Sequence, residues 1–305
     1  VRTMRFLSIG EAMVELAPLA NESEFKLGFA GDTFNTAWYL ARLAPAAQVS
    51  YFTAVGDDSI SAQMRSAIRD AGVGDSFIKV DPTRSVGLYM ISLNNGERSF
   101  SYWRGQSAAR RMVEDEAVLL KALAAHDLIF LSGITLAVLE QPGRDRLIEL
   151  LGQARSQGKI IAFDPNLRPR LWANDQEMTS AIMDAAAVSD IALPSFEDEA
   201  QYFGDASPQA TLERYQKAGA TTVIVKDGAD PVLFQSPDES GSYAVPPIAE
   251  VVDTTAAGDS FNAGVFAGLM SRQALSQGVE IASKLAGKVV QSRGALVADA
   301  VEMEA

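Results

Sequence analysis

At 305 residues, with 48% hydrophobic and 21% charged residues, the chain can bury one large core plus a small satellite sheet and reads as a soluble globular protein. Its formal net charge of −13 argues against nucleic acid or an anionic membrane as the main partner, and an anionic substrate would need locally placed arginine or lysine. The absence of cysteine excludes disulfides, thiol catalysis and thiolate metal sites, and no apolar run reaches the roughly 18 residues that span a bilayer, so a cytoplasmic location is expected.

In chain order, short apolar runs at 5–9, 49–54, 127–132, 159–163, 190–193 and 222–225 suit buried strands. Helical patterns at 33–43, 59–71, 116–125, 143–157, 176–189 and 209–218 separate many of them. Such alternation predicts a mostly parallel central sheet with helices on both faces, and ligand binding at the carboxyl ends of its strands. Two stretches break the alternation. Segments 14–18 and 24–29 are extended with no helix between them, and 86–93 and 97–104 are β-rich runs around Asn94-Asn95-Gly96, where Asn-Gly signals a tight hairpin. The expected organisation is a single α/β domain over 1–305, with a small antiparallel β lid inserted from about 12–30 and 85–105. Phe100, Tyr102 and Arg104 alternate along one arm of that lid and so share a face.

The stretch Asp253-Thr254-Thr255-Ala256-Ala257-Gly258-Asp259 stands between an extended segment and a long helix rich in small residues. Unpaired N–H groups and the positive end of the helix dipole make such a junction attractive to anions. Asp259 there is placed to take a proton from a hydroxyl while the N–H groups of Ala256, Ala257 and Gly258 hold a phosphoryl group; the plainer reading is a capping aspartate. Other phosphate signatures are missing: there is no G-x-x-x-x-G-K-[ST], and Gly72-Val73-Gly74 lacks the third glycine and leads from helix to strand, the reverse of a dinucleotide-binding turn. The lone histidine, His126, reads as a helix-end residue, which leaves Ser-His-Asp chemistry without a base.

With Ser260-Phe261-Asn262-Ala263-Gly264 following, the Asp253–Asp259 stretch resembles the D-T-T-[GA]-A-G-D-x-F signature of the ribokinase-like (PfkB) carbohydrate kinases. Gly28-Phe29-Ala30-Gly31-Asp32-Thr33-Phe34-Asn35 resembles that family's Gly-rich, Asn-containing sugar-contacting segment. The likeness covers essentially the whole chain. Phe163-Asp164-Pro165-Asn166-Leu167-Arg168, Tyr102-Trp103-Arg104 and Pro194-Ser195-Phe196-Glu197-Asp198-Glu199 are similar to the branch that phosphorylates the 6-hydroxyl of 2-keto-3-deoxygluconate. That substrate carries a carboxylate, for which Arg104 and Arg168 supply guanidinium groups.

The resemblance implies Asp259 as general base with Ala256, Ala257 and Gly258 as the anion hole, and Gly31, Asp32 and Asn35 as sugar contacts. Tyr89 and Tyr102 would close over the sugar from the lid. On the ATP side it implies Asn166, Ser195, Lys226 and Gly228, with a helix at 281–292 walling the adenine through Ala282, Ala286 and Gly287. Asp253 and Thr255 resemble monovalent-cation positions, so K⁺ is an option. The family's N-x-x-E magnesium and phosphate motif departs here, with Ser195 for Asn and Asp198 for Glu; Mg²⁺ through water at Asp198 is the expectation. The remaining alternatives are a fructokinase, a ribokinase or a kinase for an epimeric sugar acid. By resemblance, the assembly would be a homodimer or a larger homo-oligomer built from dimers.

Overall fold

The computed structural model describes residues 3–21, 23–94 and 97–301; Asn95 and Gly96, on which the hairpin-turn expectation rests, lie outside the described residues. The described strands are β1 (Arg5–Ile9), β2 (Met13–Pro18), β3 (Phe25–Ala30), β4 (Gln48–Gly56), β5 (Gly74–Asp81), β6 (Gly87–Asn94), β7 (Glu97–Trp103), β8 (Leu128–Ser132), β9 (Ile160–Asp164), β10 (Ile191–Ala192), β11 (Thr222–Val225), β12 (Val232–Gln235) and β13 (Ser240–Tyr243). The helices are α1 (Asp32–Leu43), α2 (Ser59–Asp70), α3 (Glu116–Ala125), α4 (Gly133–Val138), α5 (Gln141–Ser156), α6 (Asp175–Ala187), α7 (Phe196–Phe203), α8 (Pro208–Ala218), α9 (Ala257–Met270) and α10 (Leu275–Val289).

Nine strands form the main sheet in the order β13-β12-β11-β10-β9-β8-β1-β4-β5. Pairing is parallel from β11 through to β5, and only β12 is reversed, pairing antiparallel with both β11 and β13. The strands alternate between two cores, as a period of two requires. In β8, Leu128 and Phe130 pack with Phe34, Phe266 and Val279 on one face. Ile129 and Leu131 pack with Leu147, Ile182 and Leu212 on the other. The chain winds outward from β1 through β4 to β5, and in the opposite direction from β8 to β11. The crevice therefore opens where the order reverses, between the ends of β1 and β8.

The second sheet has the order β3-β2-β6-β7. Both hairpins are antiparallel, as expected, but the seam between them, β2 with β6, is parallel. Both seam strands lead away from the main sheet while their hairpin partners return, so neighbours at the seam share a direction. Register puts Met13, Glu15, Tyr89 and Tyr102 on one face of this sheet. Phe25, Leu27, Met90 and Trp103 belong to the other. Two elements differ from the sequence reading. β10 is only two residues long, and the helix placed at 281–292 begins at Leu275, where Gln277 Oε1 accepts from the Ala274 N–H and caps it.

Candidate active site

Five parallel strands end in one place. Glu11 follows β1, Ile134 lies in α4 after β8, Asp164 closes β9, and Ser195 and Lys226 follow β10 and β11; all line a cavity of about 420 Å³. The first turn of α9 forms another wall, and Met13, Tyr89, Phe100, Tyr102 and Arg104 of the small sheet cover it.

Ala256 caps α9 in the left-handed region, at φ 60° and ψ 15°, and turns the chain so that the helix N-terminus faces the cavity. Asp259 is the third helical residue, and the cap makes no side-chain hydrogen bond, so Asp259 is not a capping aspartate. The N–H groups of Gly258 and Asp259 occupy positions with no intrahelical acceptor. The Ala257 N–H donates to Thr254 O at 3.2 Å, which withdraws one of the three anticipated anion-hole donors into the turn. Asn35 Nδ2 donates to Asp259 Oδ2 at 2.8 Å, and Thr36 Oγ1 donates to the Asp259 main-chain oxygen at 3.1 Å. These bonds tie the first turns of α1 and α9 together. Burial pushes the Asp259 carboxyl up to about 8, and the nearby Asp32 charge adds to the rise while Asn35 opposes it. Burial raises Asp32 as well, so two acids share one enclosed site.

Gly31 precedes α1, and a Cβ on it would stand 2.1 Å from Glu11 O, so the crossing of chain at the base of the small sheet admits only glycine. Asp32 is the first residue of α1 rather than its cap. Its Oδ1 accepts from the Thr33 N–H and its Oδ2 from Asn166 Nδ2, each at 2.8 Å. Asn166 itself is held at φ 36°, in a turn where its N–H donates to Asp164 Oδ1 at 3.2 Å. Asp164 Oδ2 accepts from Lys226 Nζ at 3.0 Å and from Asn262 Nδ2 at 2.6 Å. Lys226 thus has its charge compensated, and a Cβ on Gly258 would lie 3.7 Å from its ammonium nitrogen.

In the small sheet, Tyr89 OH donates to Glu15 Oε2, and Arg104 donates to Glu11 Oε2 through both Nε, at 2.8 Å, and Nη2. Tyr102 stacks on Phe100 with centroids 6.3 Å apart. Arg168 is half exposed, 3.8 Å from Asp198, whose carboxyl is raised by burial.

Five of the anticipated residues do not line the cavity: Gly228, Asp253 and the three expected to wall the adenine, Ala282, Ala286 and Gly287; the others do. Gly228 is a turn residue at φ 58° beyond it. Asp253 is buried beneath the α9 loop, where it accepts from the Thr255 N–H and hydroxyl and from the Gly294 N–H at 2.7 Å. Its geometry is that of a loop staple. Among the described residues no group of three or more His, Cys, Asp or Glu could hold a metal ion by itself. Ala282 is buried against α9, where a Cβ on Gly264 would meet its Cα at 2.4 Å; close helix packing accounts for the small residue there. His126 caps α3 with Nδ1 2.7 Å from Ala122 O and lies outside the cavity.

Sequence reasoning assigned no role to Glu11, Asp164 or Asn262. Asp164 carried a usable signal, an acid directly after a buried strand in Phe163-Asp164-Pro165-Asn166. Glu11 carried none, because its partner lies 93 residues away.

Curated relatives are similar to this chain over nearly its whole length. The 2-dehydro-3-deoxygluconokinase of Haemophilus influenzae is 39% identical over 298 residues, covering 95% of this chain and 94% of that protein. The 2-dehydro-3-deoxygluconokinase of Dickeya dadantii is 38% identical over 304 residues, covering 97% of each. Among solved structures, the PfkB protein from Polaromonas sp. JS666 superposes with a TM-score of 0.83 at 29% identity, over 95% of this chain and 96% of that one. Residues 4–300 match the pfkB family carbohydrate kinase. With that match over nearly its whole length, the chain belongs to the pfkB family of carbohydrate kinases.

Proposed function

We propose that the enzyme transfers the γ-phosphoryl group of ATP to the 6-hydroxyl of 2-keto-3-deoxygluconate, the sugar acid also called 2-dehydro-3-deoxygluconate, giving 2-keto-3-deoxy-6-phosphogluconate. The observation that carries this is the presence, in one cavity, of Asp259 at the bare end of α9 and of two arginines, Arg104 and Arg168. A neutral sugar needs no such pair; a carboxylate is recognised by guanidinium groups. Support also comes from the names of the curated relatives.

Asp259 takes the proton of the attacking hydroxyl, and Asn35 holds its carboxylate in place from the opposite side. The N–H groups of Gly258 and Asp259 stabilise the charge of the phosphoryl group in transit. Gly31, Asp32 and Asn35 receive the sugar. Tyr89 and Tyr102 cover it and exclude water, with the small sheet as a lid on a single kinase domain. Asn166, Ser195 and Lys226 lie on the nucleotide side. The oxygen donors Asp164 and Asp198 in the cavity wall fit a hard divalent cation and would hold Mg²⁺ through water; when bound, it neutralises phosphate charge. K⁺ near Asp253 and Thr255 is an optional addition. An ATP-consuming enzyme without cysteine fits the cytoplasm.

Homodimerisation through the lid is supported by Leu27, 45% exposed, and Trp103, 58% exposed, on its outer face. A Trp103→Glu variant that sediments like the unmodified protein would remove that face from any interface. The substrate reading is tested by ADP release with 2-keto-3-deoxygluconate, its galactose-derived epimer, fructose and ribose. Turnover confined to the neutral sugars would refute it.

A further inference from the structure

Glu11 has no part in the proposed chemistry, yet it is an acid whose side chain is completely buried. A carboxylate in that position is costly to desolvate unless it is paired, and an apolar residue of similar size would pack there without that cost. Its partner is Arg104, whose side chain is only 12% exposed, at the far end of β7. Nε and Nη2 of Arg104 both donate to the same oxygen, Oε2. Glu11 Oε1 accepts nothing among the described residues and is sealed from solvent. A buried acceptor without a donor keeps its desolvation cost uncompensated. The structure therefore holds this ion pair in an arrangement that does not optimise its own hydrogen bonding. Gly87, at the start of β6, leaves it room: a Cβ there would stand 2.9 Å from Glu11 Oε1 and 3.2 Å from Arg104 Cβ.

We propose that Glu11 is the positioning residue for Arg104, fixing the guanidinium plane so that its remaining donors meet the carboxylate of the sugar acid. A guanidinium carries five N–H donors in a rigid fork. Glu11 takes the edge formed by Nε and Nη2, which leaves one N–H of Nη1 and one of Nη2 on the edge that a second carboxylate engages end-on. Because Glu11 cancels the charge of Arg104, the arginine selects by direction rather than by net attraction. The pair also ties the end of β1, in the main sheet, to the end of β7, in the small sheet. Arg104 is thereby fixed to the main-sheet segment that follows β1, rather than to the small sheet alone.

This rests on the sugar-acid reading of the site, so the unmodified enzyme is assayed first with 2-keto-3-deoxygluconate; if it turns over only neutral sugars, the substrate reading fails before Glu11 is tested. Glu11→Asp keeps the charge and loses the reach, whereas Glu11→Gln keeps the reach and an acceptor and loses the charge. KM for sugar acid, KM for ATP, kcat and melting temperature are measured for both. Positioning predicts a rise of roughly tenfold or more in the sugar-acid KM for Glu11→Asp, a smaller rise for Glu11→Gln, and an ATP KM within about twofold of the unmodified value in each. A role through charge alone would leave Glu11→Asp unchanged and lower the sugar-acid KM in Glu11→Gln, and either result overturns the proposal. So does a parallel shift of both KM values with the melting temperature, the pattern of a merely structural ion pair.

Discussion

Asp259→Asn separates the chemistry of the site from its stability. The asparagine keeps the shape, and its amide oxygen can still accept from Asn35 Nδ2, which now bonds Asp259 Oδ2 at 2.8 Å. Loss of a general base lowers kcat by about 10²- to 10⁴-fold. Stability moves the other way. The Asp259 carboxyl is raised by burial from 3.8 to about 8, so between those values the folded protein holds a proton that the unfolded chain has released. Stability then falls as pH rises through that window and is fully present only below it. Four pH units at 1.36 kcal/mol each set a ceiling of about 5–6 kcal/mol, and the open cavity and the shared titration with Asp32 reduce this to about 2–3 kcal/mol. For a chain of this length that is about 3–5 °C in melting temperature. The variant, free of this term, should melt higher than the unmodified protein at pH 8, with the gap closing towards pH 5. The measurement is calorimetry without nucleotide or divalent metal, beside kcat from ADP release. Equal melting temperatures across the range, or an active variant, would refute the reasoning. The acid limb of kcat/KM in the unmodified enzyme should likewise fall away below about pH 8.

Other consequences follow from single contacts. Arg168 is 52% exposed, so Arg168→Ala should leave stability within about 0.5 kcal/mol while raising the sugar-acid KM by roughly tenfold; calorimetry and steady-state kinetics read the two separately. Ala256 sits at φ 60°, which a β-branched residue resists, so Ala256→Val should cost about 1–3 kcal/mol in denaturant unfolding. In Gly31→Ala the new methyl would meet Glu11 O at 2.1 Å; the backbone must shift, costing about 1–3 kcal/mol and raising the sugar KM before the ATP KM.

Alternating strand and helix patterns identified the parallel sheet, because burial on both faces leaves a continuous apolar run that is visible locally. The Asn94-Asn95-Gly96 signal and the two extended pairs identified the small sheet, but not the parallel seam between β2 and β6, which depends on the hairpins meeting in space. Asp259 was legible for a similar reason: a helix start next to small residues and an acid is a matter of seven consecutive positions. The sequence by itself therefore determined the fold class and set Asp259 in the first turn of a helix. Tertiary structure alone decided which distant groups meet in the cavity. Asn35 reaches Asp259 across 224 residues, Lys226 reaches Asp164 across 62, and Glu11 reaches Arg104 across 93. Periodicity reports what lies within a turn or two of a residue, whereas these pairs arise from strand ends brought side by side by the sheet, and no spacing along the chain encodes them.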